Sequence, residues 1–172
     1  RRSSSFMNKS IGFLASLAVL TIFPLAKADT LAGWTFQTSR PTAPRGAGVW
    51  ITNVVAEIGS GTASALHSGA AVYSSPPGNG SSSGFGVTNS WTVGDFFQFA
   101  VTTTGYQGIS ISYDQAGTPR GPSTFYLAYS TDGSTFTKFG ADYQVQLGNW
   151  NSTTVNTTTS YTFDLSSVTA IN

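Results

Sequence analysis

The sequence predicts an all-β fold, an antiparallel jelly-roll-like β-sandwich that follows an N-terminal signal helix. Three observations lead there: short segments in which apolar and polar residues alternate, turn residues that punctuate them, and the lack of a long amphipathic helical pattern after residue 28. The clearest segment is residues 121–139, GPSTFYLAYSTDGSTFTKF. Phe125, Leu127 and Tyr129 alternate with Tyr126, Ala128 and Ser130, the period of a half-buried strand. Asp132-Gly133 then supplies a turn, because Gly carries no Cβ penalty at positive φ and Asp tolerates the left-handed region. The return through Phe136 and Phe139 breaks strict alternation and leaves its register open.

The other elements follow in chain order. Residues 31–36, LAGWTF, read as a first strand with Trp34 and Phe36 on one face. Residues 40–48 hold Pro41, Pro44, Gly46 and Gly48 and read as a loop. In residues 49–58 the β-branched side chains favour strand while 54–58 could form a helical turn, so the segment reads as extended or irregular. Residues 59–86 have the Gly/Ser/Ala/Pro composition of a linker, but no second domain precedes them and residues 70–73 resemble a short strand. They read as a long, variable surface segment. Phe97, Phe99 and Val101 share one face and Phe96, Gln98 and Ala100 the other, as in an inner strand. Ile109, Ile111 and Tyr113 alternate with polar residues. Residues 143–147 and 161–165 form two further strands, separated by the Asn/Thr/Ser-rich stretch 148–160. Trp34, Phe97, Phe99 and Phe125 are the expected core. Val168, Ala170 and Ile171 read as the approach to another strand, so the domain over residues 29–172 is expected to be incomplete.

The N-terminus has its own logic. Residues 1–6 read as an upstream extension before Met7, and residues 7–28 as a signal peptide: Lys9, an apolar run over 11–25, and a small-x-small cleavage site at Ala26-Lys27-Ala28. The run is shorter than the ~20 residues a spanning helix needs, so no stable membrane anchor is expected in the mature chain. After cleavage Arg40, Arg45, Arg120 and Lys138 face seven acids, a net charge of −3. That balance argues against nucleic acid as a partner. With no Cys, an exported domain must rest on its core rather than on disulfides.

Chemistry-bearing constellations are sparse. His67 is the single histidine and lacks nucleophile-elbow spacing, so it reads as a surface or hydrogen-bonded residue. Glu57, Asp95, Asp114, Asp132, Asp142 and Asp164 could supply a glycosidase pair, but Asp95 and Asp132 adjoin Gly in turns. No catalytic residue, metal ligand or cofactor is assigned. Aromatic rings are plentiful, and an exposed ring can stack on the apolar face of a sugar while polar neighbours bind its hydroxyls. Trp150, between Asn149 and Asn151, and Tyr126, opposite the apolar strand face, are the expected ligand contacts. Sequons begin at Asn79, Asn151 and Asn156.

Trp34-Thr35-Phe36, residues 75–82 (SPPGNGSS), residues 94–99 (GDFFQF), Gly121-Pro122 and residues 129–133 (YSTDG) together resemble a bacterial secreted β-sandwich domain found in PEP-CTERM-sorted surface proteins and beside extracellular nucleases. The likeness covers most of the mature chain. It implies a galactose-binding-like jelly roll and a secreted or cell-surface location. The expected function is a non-catalytic extracellular binding or adhesion module for polysaccharide or a surface matrix. The alternatives are an accessory domain of a secreted hydrolase, nuclease or glycosidase, with catalysis elsewhere, and a structural surface-layer component.

Overall fold

A computed structural model describes residues 29–41, 45–88 and 91–172; the expected upstream extension and signal peptide lie outside the described residues. These residues are mostly β, with ten strands, no α-helix and two single-turn 3-10 helices at Thr157–Thr159 and Thr169–Ile171. Every strand pair is antiparallel; one isolated parallel bridge joins Gly117 to Leu147. No helix among the described residues is long and apolar enough to cross a membrane.

The organising strand is β4 (Gly61–Ser74), which lies inside the stretch expected to be variable surface. One edge pairs with β2 (Arg45–Val55). The other edge receives β5 (Gly86–Thr88) beside its last residues and β6 (Phe96–Val101) beside its first. Small side chains are what permit this position. A Cβ at Gly61 would sit 2.8 Å from the Ala100 carbonyl oxygen and 2.9 Å from the Trp34 ring, and Ala63 and Ala65 are buried beneath larger groups. The linker-like composition therefore marks close approach rather than flexibility. The core gathers Ile51, Val54, Ala63, Ala65 and Tyr73, with Trp34, Phe36, Phe85, Val87 and Phe97 against them. Burying each large side chain stabilises the fold by about 1.5–3 kcal/mol.

Several expectations are corrected here. The strand read at 31–36 shrinks to β1 (Ala32–Gly33), which pairs with β3 (Ile58–Gly59), because Phe36 takes a positive φ of 56° and cannot continue an extended run. The loop read at 40–48 gives way to β2 from Arg45 onward, and the ambiguity over 49–58 resolves to strand through Val55. Among the described residues β6 pairs only with β4, so it is an edge and not an inner strand. Phe99 is 40% exposed, although its ring meets Trp34 at 5.0 Å.

The hairpin forms as the alternation predicts. β8 (Thr124–Tyr129) and β9 (Thr137–Gln144) flank a turn in which Asp132 Oδ1 accepts from the Ser134 and Thr135 N–H groups at 2.8 and 2.7 Å, and Gly133 has φ 73°. These bonds hold the Asp132 carboxyl well below the ordinary carboxylate range. The register that the sequence left open contains a bulge. Leu127 faces Phe139 while Phe125 faces Tyr143, and Gly140 (φ 69°) lies within the extra length of β9. The separate strand read at 143–147 is thus partly the end of β9. β7 (Ser110–Asp114) pairs with β10 (Ser160–Asp164). Beyond β10 the chain makes a 3-10 turn rather than the approach to a strand. Asn172 Oδ1 accepts from Ile109 N–H at 2.8 Å while its Nδ2 donates to Leu165 O and Val168 O.

A second aromatic cluster joins these small sheets. Tyr143 meets Phe125, Tyr113, Tyr161 and Phe163 at centroid distances of 5.0–6.4 Å. Trp91 bridges the two clusters, with Phe97 at 5.6 Å on one side and Phe125 at 6.0 Å on the other.

Candidate functional site

Alternation along the four-stranded sheet sets two faces. Ala63, Ala65 and Phe97 point to the core, so Leu66 and Phe96 point outward, and the register places Trp50 opposite Leu66 and Leu66 opposite Phe96. The result is an outward row from three strands. Trp50 is 48% exposed, and its ring meets Phe96 at 5.7 Å and 85°. Phe136, 46% exposed at the end of the hairpin turn, meets Phe96 at 6.4 Å and 37°. One step along the same face, Ser64 pairs with Gln98, so neutral polar groups border the rings.

Tyr126, one of the sequence-predicted contacts, is 58% exposed on the outward face of β8. Lys138 lies 5.3 Å from its ring centroid and is paired at 2.6 Å with Asp142. The register pairs Ala128 with Lys138, so Tyr126 and Lys138 share the outer face of the hairpin. The other predicted contacts sit on a different segment. Trp150 is half-buried and its Nε1 donates to Thr159 Oγ1 at 3.1 Å, which anchors the loop. Asn149 is exposed; Asn151 Oδ1 accepts from Thr153 and Thr154 N–H groups. The sequon-bearing loops converge: Gly80 N–H donates to Asn151 O, and Asn79 exchanges two hydrogen bonds with Asn156. The structure thus groups Asn149, Trp150 and Asn151 in one loop, while Tyr126 stands on the outer face of the hairpin beside Lys138. Sequence reasoning missed Trp50, Phe96 and Phe136 as a set. The detectable signal was the outward parity of Phe96; its pairing with Trp50 needed the position of β4.

His67, read as a surface or hydrogen-bonded residue, is fully buried, which removes the surface alternative and leaves the hydrogen-bonded one. Its Nε2 lies 3.5 Å from Asp95 Oδ2 without hydrogen-bond alignment, Nδ1 is 3.4 Å from Gly69 O, and the Trp91 ring meets it edge-on at 5.2 Å. Asp95 occupies the gap between β5 and β6. Its carboxylate accepts from Ser68 N–H, Ser68 Oγ and Thr92 N–H at 2.7–2.8 Å, replacing the ladder bond that β4 lacks there. Burial pushes this carboxyl up, but those donors and the neighbouring His67 outweigh it and bring it below the ordinary value. Ser68 Oγ bonds to Asp95 and Thr92, so the Ser and His side chains both converge on the carboxylate and not on each other. Turn chemistry alone does not account for Asp95.

Glu57 has a comparable role at the N-terminal loop. Its carboxylate accepts from the Thr35, Thr38 and Ser39 N–H groups and from the hydroxyls of Thr35 and Thr38. Burial opposes ionisation, yet these bonds hold the group well below the ordinary range. Beside it lies an open groove of about 450 Å3 between Thr38–Arg40 and the end of β2. Among the described residues no group of three or more His, Cys, Asp or Glu side chains could hold a metal ion. No protein-family model, curated protein or solved structure matches this chain.

Proposed function

We propose that the chain is a non-catalytic extracellular binding module for neutral polysaccharide, built on a galactose-binding-like jelly roll. The observation that carries this reading is the outward row of Trp50, Phe96 and Phe136, bordered by hydroxyl and amide side chains. Aromatic surface binds the apolar face of a pyranose, and neutral polar neighbours suit a hydrated ligand without charge. The ion-paired state of Lys138 weakens any pull on a polyanion. Tyr126 on the hairpin, and Trp150 with Asn149 and Asn151 on a separate loop, supply further contacts in this reading. Its secreted setting follows from the signal-like N-terminus and from the resemblance to bacterial surface proteins.

The test is affinity electrophoresis of the complete chain in gels containing a β-glucan, a mannan, a galactan or an α-glucan, with a polyanionic glycan as control. Retardation by at least one neutral polymer, reversed by that polymer in solution, is the expected result. Retardation by the polyanion alone would replace this reading.

A further inference from the structure

The outer row also carries information about the form of its ligand. Its two terminal rings, Trp50 and Phe136, are each about half exposed, and the row crosses β2, β4 and β6 before reaching the hairpin. A chain end is recognised by a walled pocket, which surrounds one sugar. An open row instead admits a polymer that enters and leaves over its ends. The ring planes add a second constraint: Trp50 stands at 85° to Phe96, and Phe96 at 37° to Phe136. Rings so inclined cannot all lie flat on one plane. They suit a twisted, hydrated chain whose successive sugars turn relative to one another.

We infer that the Trp50–Phe96–Phe136 row receives the interior of a single, neutral polysaccharide chain laid across the strands, in preference to a chain end or a planar crystalline surface. This rests on the polysaccharide reading above and specifies the ligand of that same surface. The neutral border of Ser64 and Gln98 supplies the charge match. Several weak ring contacts made by one chain act together, so polymer should bind about a hundredfold or more tighter than its monosaccharide.

The experiment uses the full chain, the retarding polymer from the gel assay, its constituent monosaccharide, and a crystalline form of a neutral polymer in pull-down. Calorimetry compares the wild type with Trp50→Ala and Phe136→Ala. Each variant should lose about fivefold or more in polymer affinity, a loss of the size expected for one ring contact. Phe136→Leu, which keeps apolar volume on an exposed turn, guards against misfolding and should also weaken binding. Polymer binding that survives all three substitutions would overturn the row while leaving the polysaccharide reading intact. Equal affinity for monosaccharide, or a preference for the crystalline form, would overturn the inferred ligand form. Failure of the wild type to bind any neutral polymer would remove both readings. Self-association on concentration that Trp50→Ala abolishes would reassign the row to contact between copies.

Discussion

The two aromatic clusters are built by opposite means. Beneath β4 the rings of Trp34, Phe85 and Phe97 pack onto a floor of Ala63 and Ala65, and only small side chains let them approach. Between the small sheets the cluster is phenolic: Tyr113 Oη donates to Tyr143 Oη and Tyr143 Oη to Gln115 Oε1, both at 2.7 Å, while Tyr161 Oη donates to Gln144 O at 3.1 Å. The first cluster depends mainly on shape, with Trp34 Nε1 donating to Val54 O and Tyr73 Oη to Ala65 O, and the second on hydrogen bonds that run from phenol to phenol. Their sensitivities should therefore differ in kind, the one to volume and the other to the loss of single oxygen atoms.

Trp91 offers the sharpest way to break the comparison, since it touches both clusters. Trp91→Ala should cost about 3 kcal/mol and lower both clusters in one transition if they fold as a unit. Near-ultraviolet circular dichroism and calorimetry would check this; two separated transitions would show that the clusters are independent.

Tyr143→Phe tests the phenolic cluster alone. Removing one oxygen strands the Tyr113 hydroxyl and the Gln115 amide oxygen, at a cost of about 1–3 kcal/mol in urea unfolding. Phe97→Leu, which removes volume and no oxygen, should cost a similar amount in the first cluster; a neutral outcome for either variant would erase the proposed difference between the clusters.

Alkali probes both clusters next, since burial and the Asp95 carboxylate also push Tyr73 of the first cluster up. Burial pushes both Tyr113 and Tyr143 above the ordinary value of 10.0; Tyr143 also reinforces the shift at Tyr113, and Tyr161 adds to both. An acid whose folded pKa is raised contributes fully below its unfolded value, and the contribution disappears as pH rises through the folded value. Stability should therefore fall above about pH 10, with tyrosinate absorbance from these two residues appearing alongside unfolding. Tyr143→Phe should flatten that dependence.

Gly140→Ala is the smallest effect. Open space surrounds the missing Cβ, so the cost is only that of positive φ, about 1 kcal/mol, felt in the hairpin. Thermal unfolding would register it. A neutral result would mean that the bulge relaxes.

Legibility in the sequence followed the same division. The hairpin and the strands β6, β7 and β10 could be read because their apolar residues are large and alternate. β4 could not, because its inward positions are Ala63, Ala65 and His67, and its small residues resemble a linker until the rings that need them are placed. Phe99 looked like core by parity but lies towards the exposed end of an edge strand. Tyr126 was legible as an exposed ring. The rings on the face of the four-stranded sheet were not, because Trp50 and Phe96 become neighbours only through Leu66.

The link between Ile109 and Asn172 has a consequence for the order of synthesis. β7 pairs with β10, and the first turn of chain before β7 is held by a residue 63 positions later. Asp114 meets Ser160 only across 46 positions, which ribosomes take roughly 2–9 s to make. For that interval β7 has emerged without its ladder partner, while β2 and β4 can already pair. A chain made N-terminus first would thus assemble the sheet that bears Trp50 and Phe96 early and close the phenolic cluster last, leaving Ile111 and Tyr113 as the residues most in need of a chaperone.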